Sequence, residues 1–245
     1  MYSKNQVKLT RSLKLKKYRQ KYNKFVCEGG KMAIEVLRHH RTFVDEVYVS
    51  EQFIDALTED LKPMAQVVPL DVLRSMSSLE SNKEAIAVCR MPPKEPVELN
   101  QNLAFYLDGV RDPGNLGTII RTCDWFGLNK LYVSPDCVDV FNPKVVQATM
   151  GSIFGVGVVV LPIDQIPEIH KNINVMITEM QGVDYRIRPL TGPSLIVMGG
   201  ESNGVSERIK NMGSVAISIP KGNTGGAESL NVAIATAIFA AHYTE

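Results

Sequence analysis

Residues 103–122, LAFYLDGVRDPGNLGTIIRT, decide how the rest of the 245-residue chain is read. Leu103 to Leu107 is an unbroken apolar run of the kind buried in a parallel sheet. Asp108 to Gly114 then brings two glycines and a proline, and Leu116 to Phe126 spaces its apolar residues for a helix. A strand that turns directly into a helix leaves backbone N–H groups at the helix start, where they can face an anion or a polar ligand. Taken alone, Asn115 reads as a helix N-cap and Arg121 as a surface residue. The turn is not GxGxxG, and no GxxxxGK followed by Ser or Thr occurs in the chain, so nicotinamide-binding and P-loop readings lack their motifs.

The same alternation continues outward. Lys130 to Ser134, Val156 to Leu161, Val175 to Thr178, Ser194 to Met198 and Val215 to Ile219 read as further strands. Pro143 to Ile153, Gln165 to Lys171, Ser206 to Lys210 and Leu230 to His242 read as helices between and after them. This predicts an α/β domain with a mostly parallel sheet, in which ligands collect at the carboxyl ends of strands, here the loops after Leu107, Met198 and Ile219.

Upstream, shorter pieces alternate: Met32 to Arg38 helical, Glu46 to Ser50 extended, Ile54 to Leu61 helical, Ala65 to Pro69 extended, Val72 to Ser75 helical and Ala85 to Met91 extended. They predict a small α/β domain over 1–91, closed by the proline-rich segment that begins Pro92-Pro93-Lys94-Glu95-Pro96. A linker over 92–101 and a second domain over 102–245 follow.

Charge is unevenly spread. The net charge is +1, yet Lys4, Lys8, Arg11, Lys14, Lys16, Lys17, Arg19, Lys21 and Lys24 all precede the first acidic residue, Glu28. Such a segment can bind a phosphate backbone, with Tyr18, Tyr22 and Phe25 among the charges as base-stacking groups; the alternative is a solvated, frayed arm. Cys27, Cys89, Cys123 and Cys137 form no CxxC pair, and His39, His40, His170 and His242 show no metal spacing, so no metal is expected. The apolar run Val232 to Ala241 is about half the length a bilayer crossing needs, which predicts a soluble, cytoplasmic protein without a membrane partner. Trp125, the single tryptophan, reads as core packing.

Two further loops carry signal. Met198-Gly199-Gly200-Glu201 ends an apolar strand in two glycines, permitting close backbone approach and leaving a carboxylate at the strand's carboxyl end. Ile219-Pro220-Lys221 leads through a Gly-rich stretch to Ser229-Leu230-Asn231-Val232, ahead of an alanine-rich helix, with Ser229 as the expected N-cap.

In this order and spacing, Asn115 through Arg121, Met198 through Gly204, and Ile219-Pro220 through Ser229-Leu230-Asn231-Val232 resemble the three motifs of the SpoU (TrmH-like) family of RNA ribose 2′-O-methyltransferases, within the SPOUT superfamily. Lys16-Lys17-Tyr18-Arg19 through Phe25-Val26-Cys27-Glu28-Gly29 resembles the opening of the small L30e-like substrate-binding domain that many members carry. The third motif departs from the family: Lys221 stands where a methionine is usual, and Gly222 to Ala227 run about two residues long.

The resemblance implies a C-terminal trefoil knot, a homodimer, S-adenosylmethionine as cofactor, and RNA as partner, ribosomal in preference to transfer. It implies cofactor contacts at Thr149, Met150 and Gly151, at Met198, Gly199, Gly200 and Glu201, at Ile219 and Lys221, and at Ser229, Leu230 and Ala233. Asn115, Arg121, Glu201, Ser229 and Asn231 form the implied catalytic set, and Lys14, Lys16, Lys17, Arg19, Lys21 and Arg111 the RNA contacts. Because a guanidinium keeps its proton, Arg121 is read as a cation that binds phosphate and stabilises the alkoxide forming at the 2′-oxygen. The alternative function is a non-catalytic RNA-binding ribosome-assembly factor that retains the fold.

Overall fold

The computed structural model describes residues 2–79, 81–93, 101–166, 173–201, 203–212 and 215–244. By contacts the chain forms two units, one of residues 1–93 with 139–154, the other of 94–138 with 155–245. The stretch 139–154, expected in the second domain, makes its contacts with the first unit. Residues 94–100 of the expected linker, and 167–171 of the expected helix Gln165 to Lys171, lie outside the described residues; Ile163–Gln165 is a 3-10 turn.

The basic N-terminal segment is not a frayed arm. Helix α1 (Lys4–Ser12) opens with a capping box in which Ser3 and Gln6 exchange side-chain and backbone hydrogen bonds, and α2 (Lys16–Tyr22) ends at Asn23 in the left-handed region. Strand β1 (Lys24–Glu28) follows, its Phe25, Val26 and Cys27 fully covered. Then come α3 (Gly30–His39), β2 (Val44–Val49), β3 (Ala65–Val67), α4 (Leu70–Met76) and β4 (Ala85–Arg90). The four strands form one sheet in the order β1-β4-β2-β3, antiparallel except for β2 with β3. Ile54 to Leu61, expected helical, makes only a 3-10 turn at Ile54–Ala56, and Pro63 disfavours helix in the residue before it. Helix α6 of this unit (Pro143–Thr149) packs on β1, and Phe141 and Phe154 both lie against Phe25 with tilted rings, at 4.9 and 5.6 Å between ring centroids.

The second unit is built from β5 (Leu103–Asp108), α5 (Pro113–Trp125), β6 (Lys130–Val133), β7 (Gly157–Val160), β8 (Asn174–Asp184), β9 (Ser194–Gly199), α7 (Glu207–Lys210), β10 (Val215–Ser218) and α8 (Val232–Tyr243). Its six strands lie in the order β10-β8-β9-β5-β6-β7, every neighbouring pair parallel. The apolar runs explain this: five of the six residues of β5 and of β9 are buried, as a sheet covered on both faces requires. β8 is longer than the apolar run Val175 to Thr178 announces, because its second half pairs with β10 at a partly exposed edge where polar residues are tolerated. There the chain passes so close that a Cβ on Gly182 would lie 2.5 Å from the Ile217 carbonyl carbon.

Two local expectations are overturned. Helix α5 begins at Pro113, capped by Asp112 rather than Asn115: the Asp112 carboxylate accepts from the Asn115 N–H at 2.8 Å, with proline in the first turn. Trp125 is 84% exposed. The buried stripe of α5 is Leu116, Ile119, Ile120 and Cys123, and at 100° per residue Trp125 falls about 180° from Leu116.

Candidate active site

The middle of β8 at Thr178, Glu179 and Met180, the carboxyl ends of β9 and β10 and the start of α8 line a cavity of about 560 Å³. Met198, Gly199, Gly200, Glu201, Ile219, Lys221, Ser229, Leu230 and Asn231 all line it, so loops after two different strands and the turn before α8 meet at one place. Its apolar wall is Met198, Ile217, Ile219, Leu230, Val232 and Phe239; Glu179, Glu201, Glu228 and Lys221 supply its charge.

The β9 end is folded back on itself. Gly200 N–H donates to the Asp108 carbonyl at 2.8 Å, Gly204 N–H to the Gly200 carbonyl at 2.9 Å, and Ser206 N–H to the Asp108 carboxylate at 2.7 Å. A Cβ on Gly199 would sit 2.2 Å from the Gly204 carbonyl carbon and 2.3 Å from the Val205 nitrogen, so only glycine allows this fold. The neighbouring β5 turn is fixed by the Ser134 hydroxyl, which accepts from Gly109 N–H at 2.9 Å.

Three of the sequence-predicted residues form one hydrogen-bonded chain. Asn115 donates its amide Nδ2 to Glu201 Oε1 at 2.6 Å, and its Oδ1 accepts from Asn231 Nδ2 at 2.9 Å. Asn231 Oδ1 in turn accepts from the N–H groups of Ala233 and Ile234, at 2.9 and 3.3 Å, so Asn231, not Ser229, is the N-cap of α8. The serine-based expectation fails because Leu230 and Asn231 lie outside the helix, which begins only at Val232. One asparagine therefore caps a helix and joins the first motif to the third.

Other predicted residues fall elsewhere. Arg121 is exposed on α5, six residues beyond Asn115, and does not line the cavity. Ala233 is buried in the first turn of α8 behind the lining residues Val232 and Ala235. Thr149, Met150 and Gly151 are not among the lining residues and belong to the first unit, where Thr149 is fully buried and its hydroxyl donates to the Val146 carbonyl at 2.6 Å.

Among the expected RNA contacts, Lys16, Lys17, Lys21 and Arg111 are exposed and Lys14 half-buried. Arg19 is not available to RNA: it is buried, donates to the Leu13 and Lys14 carbonyls at 2.8 Å each, and is ion-paired with Asp139. A buried guanidinium must be neutralised by a partner, and Asp139 is that partner. Lys17 and Lys21 lie over the Tyr18 and Tyr22 rings, at 4.9 and 5.4 Å.

The sequence reading missed Asp108, Glu179, Glu228 and Phe239. Asp108 sits at the carboxyl end of β5, a position that alone flags it; Glu179 was hidden in the unrecognised second half of β8. Among the described residues no group of three or more His, Cys, Asp or Glu is placed to hold a metal, and no helix is long and apolar enough to cross a membrane.

A parallel sheet whose carboxyl edge carries a ligand-sized cavity, with a Glu–Asn–Asn hydrogen-bonded chain beside it, defines an α/β enzyme domain, here joined to a smaller α/β unit. Residues 102–241 match the SpoU rRNA Methylase family and residues 4–87 the MRM3-like substrate binding domain. The chain belongs to the SpoU rRNA Methylase family. It is 33% identical to the 23S rRNA (guanosine(2553)-2′-O)-methyltransferase RlmP of Bacillus subtilis, across 98% of this chain and 96% of that one. A structure from Porphyromonas gingivalis assigned to the TrmH family of RNA methyltransferases superposes with a TM-score of 0.83 at 32% identity, covering 99% of this chain and 98% of that one. An AdoMet-bound rRNA methyltransferase from Sinorhizobium meliloti superposes with a TM-score of 0.81 at 26% identity, covering 99% and 95%.

Proposed function

We propose that the protein is an S-adenosylmethionine-dependent RNA ribose 2′-O-methyltransferase acting on ribosomal RNA. The observation that carries this reading is the Glu201–Asn115–Asn231 hydrogen-bonded chain, which ties the first motif to a cavity lined by the second and third. The B. subtilis relative named for 23S rRNA and the match of residues 4–87 to a substrate-binding domain favour ribosomal over transfer RNA.

The cavity suits the cofactor. Its volume lies within the range of about 300–1,000 Å³ typical of small-molecule sites, its wall is largely apolar, and three carboxylates face a ligand that carries a sulfonium and an ammonium. Met198, Gly199, Gly200, Ile219, Lys221, Ser229 and Leu230 would hold it. Bound there, S-adenosylmethionine supplies a methyl group on a positively charged sulfur.

The protein's own part is positioning. Asn115 and Asn231 fix the Glu201 carboxylate at the cavity, and Arg121 binds the phosphate beside the target ribose and stabilises negative charge on its 2′-oxygen. In this reading 1–91 is the RNA-binding domain, using Lys14, Lys16, Lys17 and Lys21, 92–101 a linker and 102–245 the methyltransferase domain, with the implied knot. A cytoplasmic homodimer belongs to it too: α8 is apolar round its whole circumference and leaves Ile234 53% exposed.

The test is methyl transfer from labelled S-adenosylmethionine into RNA from a strain lacking the gene, fractionated into ribosomal and transfer pools. Label recovered as 2′-O-methylribose in ribosomal RNA is expected, and Arg121→Ala abolishes it while cofactor affinity by calorimetry stays near wild type. Wild-type turnover by that variant refutes the role of Arg121. Absence of cofactor binding by the wild type would favour the assembly-factor alternative.

A further inference from the structure

Helix α5 sorts its residues sharply. Leu116, Ile119, Ile120 and Cys123 are buried; Asp124 is exposed on the flank, and Gly114, Thr118, Arg121 and Trp125 are exposed on the opposite face. At 100° per residue those four lie within about 60° of one another, centred opposite Leu116. The stripe begins beside Asn115 and runs about 15 Å along the helix to the chain's single tryptophan. At 84%, Trp125 is the most exposed large hydrophobic residue among those described. Among the described residues its ring has no aromatic or cationic partner, and the Arg121 guanidinium has neither a hydrogen bond nor an ion pair.

Residues four apart on a helix bring their Cβ atoms to about 5–6 Å, so a planar cation and a bare indole stand side by side. Indole faces stack on nucleobases and guanidinium forks grip phosphates, and the pair together matches one nucleotide. Stacking requires a base free of its helix, because paired bases offer no face. The rest of the stripe argues for this occupant over a protein: Gly114, Thr118 and Arg121 are small, polar or charged, whereas the core of a protein interface would surround the tryptophan with apolar residues.

We infer that Trp125 is a stacking platform for an unpaired nucleobase adjoining the ribose that Arg121 serves, so that the substrate nucleotide lies in an unpaired segment of RNA. This rests on the methyltransferase reading for the identity of that ribose, but the stacking itself can be read without turnover.

Because Trp125 is the only tryptophan, indole fluorescence reports it alone. Titration of the wild type with protein-free 23S rRNA from a strain lacking the gene is expected to quench the emission. In methyl transfer, Trp125→Ala raises KM for RNA about 5- to 150-fold, the range equivalent to 1–3 kcal/mol per stacked base, with kcat within about twofold and cofactor affinity unchanged. Trp125→Phe, which keeps an aromatic face, restores most of the KM; a merely structural role would not give that rescue. Unquenched emission with an unchanged KM overturns the inference. So does emission that is blue-shifted without RNA and changes with protein concentration, which would place Trp125 against a second copy of the chain. If the wild type transfers no methyl group, the functional reading fails, and quenching still decides whether a base stacks.

Discussion

Asn231 serves two ends at once, and substitution can separate them. Its Oδ1 caps α8 and its Nδ2 holds Asn115. Asn231→Ala removes the cap, worth about 1 kcal/mol, and one partly exposed hydrogen bond, worth about 1 kcal/mol or less. For a unit of this size about 1–2 kcal/mol lowers the melting temperature by about 2–8 °C. Asn231→Asp keeps both acceptor bonds, and its charge is favourable at a helix start, so the melting temperature should move by no more than about 2 °C. That variant nevertheless loses the donor to Asn115 and adds a carboxylate beside the chain that orders Glu201. Both variants should therefore lose at least about tenfold in kcat, equivalent to about 1.4 kcal/mol, while only the alanine melts early. Asn115→Ala should match Asn231→Asp in turnover, and the double variant should be no worse than either single one, because the residues act as one chain. Thermal melts paired with single-turnover methyl transfer measure both ends. Wild-type turnover by Asn231→Asp would refute the reasoning, as would a wild-type melting temperature for Asn231→Ala.

Gly199→Ala drives a Cβ into the Gly204 carbonyl carbon and Val205 nitrogen at 2.2 and 2.3 Å, so the β9 end must unfold from its present course. Calorimetry should show S-adenosylmethionine affinity at least about tenfold weaker, about 1.4 kcal/mol, and an unchanged affinity would place the cofactor elsewhere. Burial in α5 pushes the Cys123 thiol from about 9 up to about 12. The folded state thus keeps a proton that the unfolded chain releases: stability is intact below about pH 9 and falls through pH 9–12 by about 1.4 kcal/mol per pH unit from this group. Denaturant unfolding across that window should show Cys123→Ala, less stable near neutrality, closing its gap to wild type. A gap independent of pH would contradict the burial argument.

Much was legible in the residues themselves because periodicity and apolar runs are local. Leu103 to Leu107 and Ser194 to Met198 are suited to buried strands, and the parallel sheet followed from strands alternating with helices. The glycines at 199 and 200 announced a close approach without saying to what. Arg19 shows where local reading stops: within a run of cations it looks like its neighbours, and only packing brings Asp139, 120 residues away, to neutralise it. Trp125 failed for a related reason, since a large apolar residue is assigned to a core unless the phase of its helix is known, and the phase is set by which stripe α8 and the sheet cover.

The sequence by itself determined the α/β class, the three loops and the residue types that make their chemistry, because strand runs, turn residues and motif order are properties of the chain alone. The tertiary structure decided what those residues do together: Asn115, Glu201 and Asn231 are separated by 86 and 116 positions from Asn115 and still form one hydrogen-bonded chain. The packing of α5 against α8 and the folding back of β9 bring them within reach, and hydrogen bonds act over about 3 Å of space, whatever the separation in sequence.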